Sequence, residues 1–399
     1  MPKQPMPQTE FIAMMATLFA IVAFSIDGML PALPRIAAEL TPDDVNAAQL
    51  IVTSFVLGMG VGTLFAGPIS DTIGRKPAII GGVAIYILGA ALAPVAGSLE
   101  LLLAARILQG VGAAGPRIVT LAMVRDLHSG RQMARIVSFA MMIFTLVPAV
   151  APSVGAVIIA GFGWRGIFGA VIVFSLIGSL WLVLRQPETL PKPRRRPLRL
   201  SPLGVAAREV MSHRLVVTSI AVQTLVYGAL FGTLSSTQQI FDISFGRAES
   251  FPIWFAVIAL ISGGASLLNA TLVVRLGMRL LITVTLGGQI LLSSAMAALM
   301  AGGVLPDWLA FPAYLVWTIS VFFMTGLTLG NLNALALEPL GHIAGMAASV
   351  NGCISTVLAV AIAAPIGLAF NGTPVPLMVA VAALCAAGWG LMRTIPRYY

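Results

Sequence analysis

The stretch GPISDTIGRKP, residues 67–77, packs two glycines, two prolines, an acid and two adjacent bases into eleven positions. Apolar sequence presses in from both sides, VLGMGVGTLFA (56–66) before it and AIIGGVAIYILGAAL (78–92) after it. A break this polar between runs this apolar reads as a short turn joining two membrane-spanning helices. Gly67 permits close helix contact, Gly74 and Pro77 shape the turn, and Arg75 and Lys76 anchor it at the water-facing surface. It is not a phosphate-binding loop. That motif sets four residues between its glycines and follows Lys with a hydroxyl, whereas six residues separate Gly67 from Gly74 and Pro77 follows Lys76.

The rest of the chain has the same character. Of its 399 residues 58% are hydrophobic and 9% charged, against about 25% charged in a soluble domain. Mean hydropathy is +0.98. So little polar surface cannot cover a water-soluble globule of this size, and lipid is the solvent. A helix needs roughly 20 apolar residues to cross a bilayer. Twelve such runs are present, near 11–32, 46–69, 77–97, 100–124, 134–160, 165–185, 215–240, 251–273, 279–301, 308–334, 343–370 and 375–395. The ten-residue alternation of a membrane β-barrel is missing. The expected fold class is therefore an all-α membrane protein of twelve transmembrane helices.

A net charge of +9 and a pI near 10.4 raise the question of nucleic acid. The distribution of charge answers it. With the N-terminus inside, eighteen of the 23 Lys and Arg fall in cytoplasmic tails and loops, from Lys3 through Arg75, Lys76, Arg125, Arg131 and Arg135 to Arg393 and Arg397. This is the positive-inside pattern, and it predicts both termini in the cytoplasm. The basic run PKPRRRPLRL (191–200) then faces anionic inner-leaflet lipid, and no nucleic acid is expected. The first apolar run lacks a small-residue cleavage site and is read as a span. Cys353 and Cys385 fall in spans and are expected as free thiols. No group of His, Cys and carboxylates has metal-ligand spacing, and neither a metal, a cofactor nor an enzyme is expected.

The longest hydrophilic stretch, 186–214, divides the chain into residues 1–185 and 215–399, six runs each. Its prolines at 187, 191, 193, 197 and 202 predict a linker that is a poor helix throughout. A shift of 203 residues lays DTIGRKPAII (71–80) on VRLGMRLLIT (274–283), so Gly74 meets Gly277 and Lys76 meets Arg279. The copy is degraded, with Val274 where the first half has Asp71. Two related six-helix halves are a transporter plan.

Few polar residues lie within the spans. Asp27 is the only carboxylate clearly inside one, about sixteen residues into the first run. Such a charge costs roughly 2.5–3.5 kcal/mol near a helix centre and marks a functional site by default. Asp27 is read either as a carrier of protons or substrate, or as a hydrated residue at the outer end of the helix before Pro31 and Pro34. Arg106 needs an acceptor or a water-filled cavity, either for coupling or for structure. Pro148 and Pro152 each remove a backbone bond and should bend the fifth helix, while Gly155 lets a neighbour approach. That bend serves function or packing alone.

The opening stretch resembles the signature between helices 2 and 3 of the major facilitator superfamily, Gly-x-x-x-Asp-x-x-Gly-Arg-Lys. LAARILQGVGAA (103–114) is similar to that family's fourth-helix Arg motif, and LVPAVAPSVGAVI (146–158) to the fifth-helix motif of its drug exporters. SIDGMLPALPRIA (25–37), MVRDL (123–127), GWRGIF (163–168) and EPLGHIAGMAASVNG (338–352) narrow the likeness to the Bcr/CflA type of multidrug efflux antiporter. Two departures are Ala151-Pro152, where many relatives have Gly-Pro, and Val154-Gly155-Ala156 in place of a double glycine.

The resemblance implies a secondary transporter of the bacterial cytoplasmic (inner) membrane, working by alternating access. It exports small hydrophobic or monocationic drugs against protons, as a monomer among membrane lipids. The alternative is a narrow-specificity exporter of a sugar or amino-acid metabolite. Proton coupling falls to Asp27 and Arg106. Helices 1, 4, 7 and 10 surround the substrate, which assigns Asp27, Gln223, Tyr227, Phe231, Tyr314, Trp317, Phe322 and Asn333 to binding. Pro148, Pro152 and Gly155 form the antiporter segment. Gly67, Asp71, Gly74, Arg75 and Asp126 form a gate in which Arg75 pairs with Asp126 and Asp71 caps helix 11. His342 reads as a hydrated loop residue.

Overall fold

In hydrocarbon every backbone N–H and C=O must bond within its own segment, and runs this apolar fold accordingly. The computed structural model describes residues 6–195, 197 and 201–395. Lys3, Arg196, Arg199 and Arg397, four bases assigned to the cytoplasmic side, lie outside the described residues. Those described contain helices α1 (Gln8–Asp27), α2 (Leu33–Leu40), α3 (Leu50–Ile73), α4 (Arg75–Leu92), α5 (Leu99–Ala114), α6 (Thr120–Leu127), α7 (Gly130–Phe162) and α8 (Arg165–Arg185). After these come α9 (Ser201–Ser212), α10 (Arg214–Gln239), α11 (Phe251–Leu276), α12 (Met278–Ala301), α13 (Asp307–Leu337), α14 (Ala344–Leu368) and α15 (Val375–Arg393), and no strand. Among the described residues ten stretches are long and apolar enough to cross a membrane. One of them, Asp307–Leu368, holds both α13 and α14, and α7 contributes the shorter apolar stretch Leu146–Phe162.

The chain divides into two units. Unit 1 comprises Met1–Thr41 and Ser54–Leu203; unit 2 comprises Pro42–Thr53 and Gly204–Tyr399. In unit 1, α1 packs on α7 and α8, and α4 on α5. Glycines set the closeness: a Cβ on Gly89 would lie 2.5 Å from the Gln109 nitrogen, and one on Gly110 would collide with the Phe55 carbonyl. In unit 2, α10 packs on α13, α14 and α15, and α12 on α13 and α15. The Pro42–Thr53 segment joins this unit through polar side chains. Asn46 Nδ2 donates to the Leu368 and Phe370 carbonyls at 3.1 and 2.9 Å, and Ser236 Oγ donates to Gln49 Oε1 at 2.8 Å.

One local expectation needs correction. The linker is not a poor helix throughout, because Ser201–Ser212 forms α9. Pro202 falls in its first turn, where the missing N–H costs no intrahelical bond, and Ala206 and Val210 are buried along it. The fifth spanning helix is continuous from Gly130 to Phe162 with Pro148 and Pro152 inside it. The prolines delete individual bonds without ending the helix. Pro116, by contrast, is absorbed by a π-helical turn, Gly115–Val119, between α5 and α6.

The weak internal repeat has a structural counterpart. Gly74 opens α4 at φ 109°, ψ 160°, and Gly277 opens α12 at φ 75°, ψ 158°. Lys76 Nζ donates to the Val183 and Gln186 carbonyls around the end of α8, at 2.7 and 3.0 Å. At the matching position Arg279 Nη2 donates to the Ile395 carbonyl just past α15, at 2.5 Å.

Candidate functional site

Asp27 is the last residue of α1, where Gly28, Pro31 and Pro34 tighten the chain into a 3-10 turn and then α2. The residue is buried, 6% exposed. Gly28 lies against Gly155 of α7, so closely that a Cβ on Gly155 would overlap the Gly28 carbonyl. Gly155 thus lets α7 seat directly on the end of α1 that carries Asp27.

Arg106 is fully buried. Its Nη1 donates to Ser25 Oγ at 3.0 Å and to Gln109 Oε1 at 2.7 Å, and its Nη2 to the Ser25 carbonyl at 3.1 Å. The guanidinium also lies over the Phe55 ring, 4.4 Å from its centroid. Through Ser25 it reaches α1 two residues before Asp27. Gln109 Nε2 is buried without a partner among the described residues. Ser25 is the contact that sequence reading missed; it stands in the quoted SIDG stretch, but a serine in a span carries no signal of its own.

The turn between α3 and α4 is built on Arg75, which is buried rather than a surface anchor: the residue is 9% exposed. Its Nη1 donates to Asp71 Oδ1 at 2.5 Å and Ser70 Oγ at 2.7 Å, and its Nε to Asp126 Oδ2 at 2.9 Å. Two carboxylates and a hydroxyl offset the charge, which makes its burial tolerable. Asp71 keeps a side chain 46% exposed. Glu188 completes the turn. Its Oε1 accepts from the Arg75 and Leu190 nitrogens at 2.9 and 2.8 Å, and its Oε2 from the Lys76 nitrogen at 3.1 Å. A carboxylate on free N–H groups at a helix start is favoured electrostatically. Sequence reading passed over Glu188, which is far in the chain from the nitrogens it binds.

In unit 2, Gln223, Tyr227 and Phe231 form the expected stripe on α10. Tyr227 stacks on Phe231, with centroids 5.5 Å apart and planes within 5°. Tyr314 and Trp317 of α13 are fully buried among aromatic and polar neighbours. Trp317 Nε1 donates to Ser293 Oγ of α12 at 2.9 Å, and Tyr314 packs on Phe241 and Phe245 with centroids 6.0 and 5.3 Å away. Phe322 meets Phe255 edge-on at 6.0 Å. Gln223 and Asn333 converge through a residue not singled out from sequence, Asn351 of α14. Its Nδ2 donates to Asn333 Oδ1 at 3.0 Å and to Gln223 Oε1 at 3.3 Å. His342 Nε2 lies 2.8 Å from Glu209 of α9, so it is a partnered residue. Cys353 and Cys385 are free thiols.

The description of the Major Facilitator Superfamily matches residues 14–364 of this chain. A bicyclomycin resistance protein homolog of Haemophilus influenzae is 30% identical over 355 residues, covering 86% of this chain and 85% of that protein. A multidrug resistance protein, MdtL, of Salmonella heidelberg is 34% identical over 216 residues, 54% of each chain. Among solved structures, the xylose transporter XylE of E. coli in a partially occluded inward-open conformation aligns with a TM-score of 0.76 over 98% of both chains at 11% identity. That likeness concerns the fold alone.

Proposed function

The chain belongs to the Major Facilitator Superfamily, a multi-pass membrane transporter and not an enzyme, and from that premise we propose that it exports small lipophilic compounds in exchange for protons by alternating access. The observation that carries this reading is Asp27, a buried carboxyl at the end of α1, two residues from the Ser25 contacts of the buried Arg106. A carboxyl held away from water in a membrane helix is suited to binding and releasing a proton as its surroundings change. The bicyclomycin and multidrug resistance names of the relatives support a drug-like cargo.

Gln223, Tyr227, Phe231 and Asn333 supply an aromatic surface with a few amide groups, which suits compounds that are mostly apolar. The ion-paired turn of Asp71, Arg75 and Asp126 is the gate, and Pro148, Pro152 and Gly155 favour export over leak. The protein acts as a monomer in the bacterial inner membrane with both termini in the cytoplasm. Reconstitution in lipid vesicles with an imposed pH gradient, screened against a varied drug panel, tests this. Wild-type protein is expected to couple drug movement to proton release, and a pH gradient that drives none of the panel would overturn the reading.

A further inference from the structure

Three amides from three helices meet in unit 2, and one of them is only half used. Both hydrogens of Asn351 Nδ2 are committed, to Asn333 Oδ1 and Gln223 Oε1. Asn351 is 1% exposed, and its Oδ1 is buried with no hydrogen-bond partner among the described residues. A buried carbonyl lacking a donor destabilises the fold, so such atoms in folded proteins call for an explanation.

The surroundings say what kind of donor fits. Asn333 is exposed, so the cluster is open on one side. Within one helical turn of Gln223, Asn333 and Asn351 along their own helices no residue is charged, so none of these three segments supplies a charge to balance an ammonium group. Tyr227, one turn from Gln223, is half-buried and stacked flat on Phe231, an apolar platform beside the amides.

We propose that Asn351 is a substrate-contact residue whose Oδ1 accepts a hydrogen bond from a neutral hydroxyl or amide N–H on an otherwise apolar compound; this rests on the export reading above. Gln223 and Asn333 act as positioning residues, since they hold both hydrogens of the Asn351 amide and so fix its oxygen toward the ligand.

The test uses purified full-length protein and a panel of uncharged aromatic alcohols, each paired with its methyl ether, with binding measured by calorimetry. Wild type is expected to bind the alcohols about tenfold more tightly than the ethers, because a site built around a hydrogen bond rejects the analogue that lacks the donor. Asn351→Leu is expected to bind both at the ether affinity; unchanged ether binding shows that the variant is folded. Asn351→Ala repeats the comparison if the leucine variant does not fold. Equal affinities in wild type, no binding of any panel member, or a tenfold preference that survives both substitutions would each overturn the proposal. Vesicle transport of the same alcohols separates the two readings: alcohols bound in an Asn351-dependent way but not moved by a pH gradient would sink the export reading and leave the contact standing.

Discussion

Asp27 and Arg106 are legible in the sequence as charges in apolar runs, yet their surroundings are not. What the structure adds is that Asp27 is buried and that the Arg106 guanidinium reaches Ser25, two residues earlier on the same helix. No local pattern reveals this, because the contact joins residues 81 positions apart. Asp27→Asn removes the exchangeable proton and keeps the size of the side chain. It is expected to abolish drug-dependent proton release in vesicles while leaving the thermal unfolding midpoint close to wild type. Undiminished proton release would remove Asp27 from the mechanism.

At the scale of elements, the turn between α3 and α4 depends on Gly74. Its φ of 109° is a conformation that L side chains rarely adopt, and a Cβ there would stand 2.5 Å from Glu188 Oε2. Gly74→Ala is expected to lower stability by about 1–2 kcal/mol from the backbone alone, read as a drop in unfolding midpoint in detergent. Glu188→Gln keeps the shape but removes the charge from the two N–H groups that open α4, for a smaller loss of about 0.5–1 kcal/mol. Equal stability of both variants with wild type would show that the turn is held elsewhere. Asp71→Asn addresses function: with Arg75 still paired to Asp126, the fold should persist while transport falls. Normal transport by this variant would leave the turn as a topology signal only. The glycine and the bases were readable from sequence; Glu188 was not, because 112 residues separate it from Lys76.

For the whole molecule, the energetics of exchange constrain the cargo. One charge crossing 100 mV releases about 2.3 kcal/mol, roughly a fifty-fold gradient at 1.4 kcal/mol per tenfold. A neutral compound exchanged for one proton draws on voltage and pH together, whereas a monovalent cation exchanged one for one draws on the pH difference alone. With one clear carboxylate in the spans, a single proton per cycle is expected. Vesicles under an imposed voltage at equal pH should then accumulate neutral substrates and not monocations, and voltage-driven export of dications would contradict the single-proton cycle.

By itself the sequence determined the helical class and placed the hydrophilic stretch 186–214 between two sets of apolar runs, since these follow from apolar length, charge placement and the prolines of the linker, all of them local properties. It also carried the motifs that mark the family. Only the tertiary structure decided that α9 forms within that linker, that the Pro42–Thr53 segment groups with the second unit, that Arg75 is buried between two acids, and that Asn351 holds Gln223 and Asn333 together. The reason is physical: hydrophobic burial in lipid is nearly blind to which helix lies next to which, while hydrogen bonds and ion pairs are made between groups far apart in the chain and exist only once the helices have packed.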